Sequence, residues 1–233
     1  MRYLLAVMLT LLISQSLNAR TLALTGIKNS VNTEISLEVL RQAYGQLGIS
    51  INYLALPGER ALQTSNAGKA DGEVFRIANV HKRYSNLIPV PTQINLLEGV
   101  AFVKDHSINV TDWQSLTPFS IGIQGGIKFV ERGTQGMRVT IADTNEQLFK
   151  MLNANRVDVI VVAHANGLRS RAKLDMQHIA SLQPAIQSYP LFHYLHKKHA
   201  GMVKKIDAVL SDMQKSGVIS RIRQQVLKGF NGK

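Results

Sequence analysis

The 233-residue chain contains no cysteine. Disulfide bonds, thiol catalysis, thiolate metal sites and a lipid anchor carried on cysteine are thereby excluded. Aromatic residues make up only 6% of the sequence, and Trp113 is the single tryptophan. The basic segments accordingly lack the interleaved aromatic side chains on which bases stack, so no nucleic-acid partner is expected. Beyond the first residues, no apolar run approaches the roughly 20 residues needed to cross a bilayer as a helix. A Gly-x-Ser-x-Gly nucleophile turn, a phosphate-binding loop, a His-Glu-x-x-His zinc pair and a dinucleotide fingerprint are absent too, and with them any motif that would call for a cofactor.

What is present begins with an export signal. Met1-Arg2-Tyr3 is a short basic start, residues 4–13 are apolar, and Leu17-Asn18-Ala19 places a small residue at a cleavage point. These features describe a secretory signal peptide over residues 1–19, with the mature protein exported. The remainder is long for one compact domain and comfortable for two lobes of roughly 100 residues each. The formal net charge of +12 is unevenly spread: residues 197–233 hold nine Lys/Arg against two Asp/Glu, whereas residues 105–196 are nearly balanced, with eight against seven. Such a tail reads as a solvated helix face, the alternative being contact with an anionic surface through Lys204, Lys205, Lys215, Arg221 and Arg223.

Along the chain, residues 21–25 read as a buried strand. A helix follows in which Asn32 serves as cap, Ile35, Val39, Leu40, Ala43 and Tyr44 recur at helical spacing, and Gly48 marks the end. Residues 49–56 give a second strand, 59–66 a short helix and 71–77 a third strand. Residues 119–123, 139–142 and 157–162 are strands of a second half, with Thr144 capping the helix between the last two. Strands alternating with helices imply a parallel sheet with right-handed crossovers, whose ligands gather beyond the carboxyl ends of the strands. Two extended segments, 96–104 and 185–195, join the halves and form a hinge. The expected domains are lobe 1, residues 20–100 with 190–233, and lobe 2, residues 101–189. Amphipathic stripes on residues 202–213 and 219–226 pack back on lobe 1.

Arg60, Arg76 and Arg83 cluster around the third strand. A guanidinium is a fixed fork of donors matched to carboxylate or phosphate, so this edge points to a small acidic ligand. Gly125-Gly126 reads either as a loop whose bare backbone N–H groups at a helix start bind an anion or as a simple tight turn. His164 sits at the edge of the same presumed cleft. His193, His196 and His199 have spacings of three but begin in extended chain without an acidic partner, which argues against a metal set.

Taken in order, Asn66-Ala67-Gly68-Lys69-Ala70-Asp71-Gly72, Arg83, Ile121-Gly122-Ile123-Gln124-Gly125-Gly126 and Leu152-Asn153-Ala154-Asn155-Arg156-Val157-Asp158 resemble the type 2 periplasmic solute-binding proteins, specifically the family 3 group related to amino-acid-binding components of transporters. The resemblance covers residues 20–230 and implies an α/β fold of two lobes that close on a small solute. It also implies that Arg83, twelve residues after Asp71, clamps a carboxylate, and that Gln124, Gly125 and Gly126 form the contact loop of lobe 2. Arg76 stands where amino-acid binders commonly carry a small hydroxyl residue, which adds a second cation. Their aspartate for the ligand's ammonium is replaced by Ala163-His164-Ala165-Asn166, so an acid without that amine, or one whose amine is held elsewhere, is favoured. The expected protein is a periplasmic, monomeric, non-catalytic binder of a small anionic, amino-acid-like ligand, serving a membrane permease or a sensor domain. The rivals are an enzyme of the same fold acting on a cyclic carboxylate, with Glu73 or His164 moving protons, and a basic surface-binding protein.

Overall fold

The computed structural model describes residues 20–230, so the expected signal peptide lies outside the described residues. The first half runs β1 (Arg20–Ile27), α1 (Val31–Gly45), β2 (Ile49–Leu56), α2 (Gly58–Asn66) and β3 (Gly72–Ile77). A 17-residue strand, β4 (Leu87–Val103), leads to β5 (Ile121–Gln124), α3 (Lys128–Gly133), β6 (Val139–Ala142), α4 (Asn145–Asn153), β7 (Val159–Ala163) and α5 (His164–Lys173). The short β8 (Ala180–Ser181), then β9 (Gln187–His196), α6 (Val203–Lys215) and α7 (Val218–Lys228) follow within the described residues. Nine strands form one sheet in the order β2-β1-β3-β9-β4-β7-β5-β6, with β8 beside β4.

The period of the apolar residues decides what packs where. Val39, Leu40, Ala43 and Tyr44 of α1 are buried against Leu22 and Leu24 of β1, and Ile206, Leu210 and Met213 of α6 close the same core. Each of the Val, Leu, Ile and Met side chains contributes about 1.5–3 kcal/mol by leaving water, which fixes both helices on this half as their stripes predict. In the second half the wholly apolar β7 is buried on both faces: Ile160 and Val162 meet Phe102, Leu148 and Phe149, whereas Val159 and Val161 meet Leu116, Ile121 and Val130. The Thr144 hydroxyl accepts the Gln147 N–H while the Gln147 side chain accepts the Thr144 N–H, a complete capping box on α4.

Asn32 is not the cap of α1. The cap position is Ser30, whose side chain makes no capping hydrogen bond, and Asn32 is buried inside the first turn. The amide of Val31 donates instead to Asn166 Oδ1 of α5 at 2.9 Å. An orphan donor at a helix start needs an acceptor, and here a distant segment supplies it.

Strand directions bring the carboxyl edges of the two halves face to face. β3 and β4 both run antiparallel to β9, and β4 runs antiparallel to β7, so β3 and β7 point in opposite senses. Ile77 at the end of β3 pairs with Leu191, which pairs with Asn95, and Ala163 at the end of β7 pairs with Gly99. The loops following both sets of parallel strands therefore converge on residues 95–99 of β4.

Candidate functional site

At the centre of this convergence lies Glu98. Its carboxylate pairs with the Arg223 guanidinium of α7 and faces His164 Nδ1 at 3.8 Å. His164 first and then Arg223 hold the Glu98 carboxyl below the usual range against the opposing effect of burial. Arg223 also donates to Asn95 Oδ1 at 2.7 Å and to the Leu96 carbonyl at 2.9 Å. Asn95 is buried and donates to Ser36 Oγ at 3.1 Å and to the Asn32 carbonyl at 3.2 Å. Arg223, grouped with the basic tail from sequence, is thus an internal anchor between α7 and β4 and is no part of a free basic face.

On the first-half edge, Arg76 is 8% exposed. Its Nε donates to Glu73 Oε2 at 2.8 Å and its Nη2 to the Gly58 carbonyl at 2.8 Å, which leaves Nη1 without a partner among the described residues. Glu73 is fully buried and accepts from Thr25 Oγ1 at 2.7 Å on its other oxygen. Burial pushes its carboxyl up to about 7, outweighing the pull of Arg76 and Thr25. With both oxygens committed inside the lobe, Glu73 presents no face to the cleft for proton transfer.

Arg83 stands on the rim, its side chain 77% exposed, with Nη2 3.6 Å from Glu59 Oε1. The guanidinium also lies over the Tyr84 ring, 5.5 Å from its centroid, and Tyr84 donates to the same Glu59 oxygen at 2.6 Å. Arg60 is exposed on α2.

On the opposing edge, Gln124 Nε2 donates to the Asp143 carbonyl at 2.9 Å, and the Gly125 amide donates to the Ala142 carbonyl at 3.0 Å. Gly126, at φ +82°, turns its amide onto Glu131 Oε1 at 2.7 Å, and Lys128 Nζ holds the other Glu131 oxygen at 2.8 Å. The expected bare N–H groups are thus engaged, and at Gly126 the acceptor is the protein's own half-exposed Glu131 carboxylate, five residues along the chain. Gln124, Ile127, Asn145, Val162 and Asn166 surround a small cavity of about 20 Å³ beside this loop.

The two edges also touch directly. Besides the bond from Asn166 to Val31, Arg169 Nη1 reaches Glu34 Oε1 at 2.6 Å and its Nη2 reaches the Asn29 carbonyl at 2.5 Å. Val31, Ile35 and Ala165 are buried together, with Val226, Leu227 and Phe230 of the C-terminal segment packed on them. The three histidines fall into separate settings: His193 is buried between Tyr44 and the Glu73 carbonyl, His196 ends β9, and His199 binds Asp71.

No family model matches the chain. A curated protein of Shewanella oneidensis, itself uncharacterized, is 26% identical over 214 residues, spanning 87% of this chain and 80% of that protein. Among solved structures, a histidine kinase sensor domain with similarity to periplasmic binding proteins superposes with a TM-score of 0.68 at 16% identity, covering 89% of this chain and 96% of that one. The fold is that of the type 2 periplasmic binding proteins. An amino acid ABC transporter substrate-binding protein from Streptococcus pneumoniae bound to L-arginine superposes equally well, with a TM-score of 0.69 at 13% identity over 91% of this chain and 97% of that one. Both likenesses are structural, and the periplasmic-binding architecture explains why the carboxyl edges of two α/β halves face one another here.

Asn95, Glu98, Asn166, Arg169 and Arg223 were not singled out from sequence as site residues. A glutamate within the otherwise apolar run Leu96-Leu97-Glu98-Gly99-Val100 was a usable signal, because an acid on a buried connecting strand needs a cation.

Proposed function

We propose that the protein is an exported solute-binding module that captures a small carboxylate-bearing, amino-acid-like ligand between its two lobes and reports to a transporter or a sensor. The observation that carries this reading is Arg83. It lies at the carboxyl edge of the first lobe, and among the described residues its only carboxylate partner is Glu59, across an exposed 3.6 Å contact. Such pairs are worth about 0–1 kcal/mol, so the guanidinium swings to a ligand carboxylate at little cost. Arg76 supports it from behind through its unused Nη1. Gly126 supplies the opposing donor once Glu131 yields, since an exposed tethered carboxylate is a weak competitor for that amide. The segment Ala163-His164-Ala165-Asn166 stands in for the aspartate with which amino-acid binders usually hold the ligand's ammonium, and the Asn166 oxygen accepts from the Val31 amide of α1. A ligand recognised mainly by its acid groups fits this better than one gripped by its amine.

Thermal-shift and calorimetric titration of residues 20–233 with L-amino acids, dicarboxylates and keto acids tests the reading. At least one carboxylate is expected to raise the melting temperature with micromolar affinity, and Arg83→Ala is expected to weaken it at least tenfold. Unchanged affinity in Arg83→Ala would remove the clamp; steady turnover of a bound acid would replace the binding role with an enzymatic one.

A further inference from the structure

At the opposite end of the first-half strands, away from the cleft, a second concavity of about 370 Å³ opens. Arg20 and Ile49, the paired first residues of β1 and β2, lie on its wall. Leu47, just before β2, and Met202, just before α6, complete with Ile49 an apolar floor, while Lys198 and Lys205 flank it.

The cations here are short of counter-charge. Lys198 Nζ lies 2.9 Å from Asp71 Oδ1 and donates to the Gly68 carbonyl at 2.9 Å. Among the described residues the Arg20 side chain makes one hydrogen bond, from Nη2 to His199 Nδ1 at 3.1 Å. A guanidinium only donates, so His199 accepts at Nδ1 and donates from Nε2 to Asp71 Oδ1 at 2.7 Å. Asp71 is therefore already engaged: burial raises its carboxyl, but His199, Lys198 and the Ala23 amide outweigh that and hold it at about 2. Among the described residues Lys205 has no side-chain partner, Arg20 Nε and Nη1 make no hydrogen bond, and none of the residues lining the concavity is acidic.

We propose that this concavity is a binding site for a small amphipathic anion: a phosphate or carboxylate head held by Arg20 and Lys205, with a short apolar tail on Leu47, Ile49 and Met202. Arginine provides the planar fork that matches such a head, and the lysines add charge without demanding geometry. The apolar floor sets the preference, because each methylene removed from water multiplies affinity about fourfold. The site lies at the amino ends of the parallel strands, so it is independent of any ligand in the interlobe cleft. The same chemistry arrives either as a free amphiphile or as the headgroup region of an anionic lipid.

Backbone and methionine-methyl NMR titration of residues 20–233 with submicellar octyl phosphate and with inorganic phosphate provides the test. Octyl phosphate is expected to bind at least tenfold more tightly, with shifts centred on residues 47–49 and 197–205. Arg20→Glu and Lys205→Glu, both at exposed side chains, should each weaken it about tenfold or more. Lys82→Glu, which makes the same charge change at the other end of the strands, should leave it unaltered. Sedimentation with phosphatidylglycerol vesicles but not phosphatidylcholine vesicles, abolished by Lys205→Glu, assigns the lipid source; octyl phosphate binding without sedimentation assigns a free ligand. Equal affinity for the two phosphates, binding insensitive to Arg20→Glu and Lys205→Glu, or shifts centred on the cleft would each overturn the proposal.

Discussion

Glu73 and His193 are both fully buried, and they are perturbed in opposite directions. Burial lifts the Glu73 carboxyl from 4.5 to about 7, and burial lowers the His193 imidazole from 6.5 to about 4. The His193 ring donates from Nδ1 to the Glu73 carbonyl at 2.7 Å and accepts at Nε2 from Tyr44 at 2.9 Å, the pattern of a neutral imidazole. A carboxyl whose folded value is raised stabilises the fold most below pH 4.5, and that contribution is lost as pH rises through 7. An imidazole whose folded value is depressed stabilises the fold above pH 6.5, and that contribution is lost as pH falls through 4. Between pH 4.5 and 6.5 the unfolded chain holds a proton on His193 and the folded chain holds one on Glu73, so the two slopes cancel and stability from this pair is flat. Glu73→Gln removes one slope and exposes the other. Displacing either group this far from its ordinary value corresponds to about 3 kcal/mol, so the mutant should gain that much stability between pH 4 and 6.5 while the parent stays level from pH 4.5 to 6.5. His193→Asn should show the mirror image, losing about 3 kcal/mol between pH 4.5 and 7. Urea unfolding followed by circular dichroism at half-unit pH steps measures both. Parallel curves for Glu73→Gln and the parent would mean that Arg76 keeps Glu73 ionised throughout, and the balance of burial over pairing argued for this site would be wrong.

Three further outcomes follow from contacts elsewhere. Arg223→Met strands the Glu98 carboxylate and removes donors to Asn95 and Leu96, so it should cost about 2–4 kcal/mol in urea unfolding. Gly72→Ala would place a Cβ 2.2 Å from the Tyr194 carbonyl oxygen, which is backbone and cannot rotate aside; a loss of about 3 kcal/mol is expected by the same measurement. Glu131→Ala releases the Gly126 amide from its tethered carboxylate, and calorimetry should find any cleft-bound carboxylate gripped roughly three- to tenfold more tightly.

The fold was legible because it rests on period and punctuation. The second and sixth strands fall at residues 49–56 and 139–142 as their sequence patterns predict, and the Thr144 cap forms because its Gln147 partner is local. The site was legible only in outline. Arg76 falls on the third strand as its sequence pattern predicts, but its setting depends on Glu73, and an ion pair three residues apart on a strand forms only where the backbone departs from regular alternation, as it does between Glu73 and Arg76. The start of α1 failed for the opposite reason. Its acceptor is Asn166, 135 positions away, and no local pattern encodes a cap donated from so far. Glu98, Asn95 and Arg223 share that difficulty, since their meeting is set by where α7 lands after the rest of the sheet is built.

The direct contacts between the halves bear on how a ligand would be felt. Val31, Ile35 and Ala165 are buried with Val226, Leu227 and Phe230, and Asn166 and Arg169 bridge to the start of α1 beside them. Parting the lobes on this side exposes that apolar surface and breaks those bonds, so closure here is favoured before any ligand arrives. A ligand shifts an equilibrium only by the difference in its affinity for the two states. On the binding reading, most of that leverage therefore lies on the opposite side of the cleft, where Arg83 and Glu131 hold each edge by exposed and replaceable pairs. On the same reading, the contacts of Asn166 and Arg169 with the start of α1 organise one side before a ligand arrives. A solute binder built this way would need less ligand energy to complete closure than one whose lobes meet only through solute, which would favour tight binding coupled to a small movement.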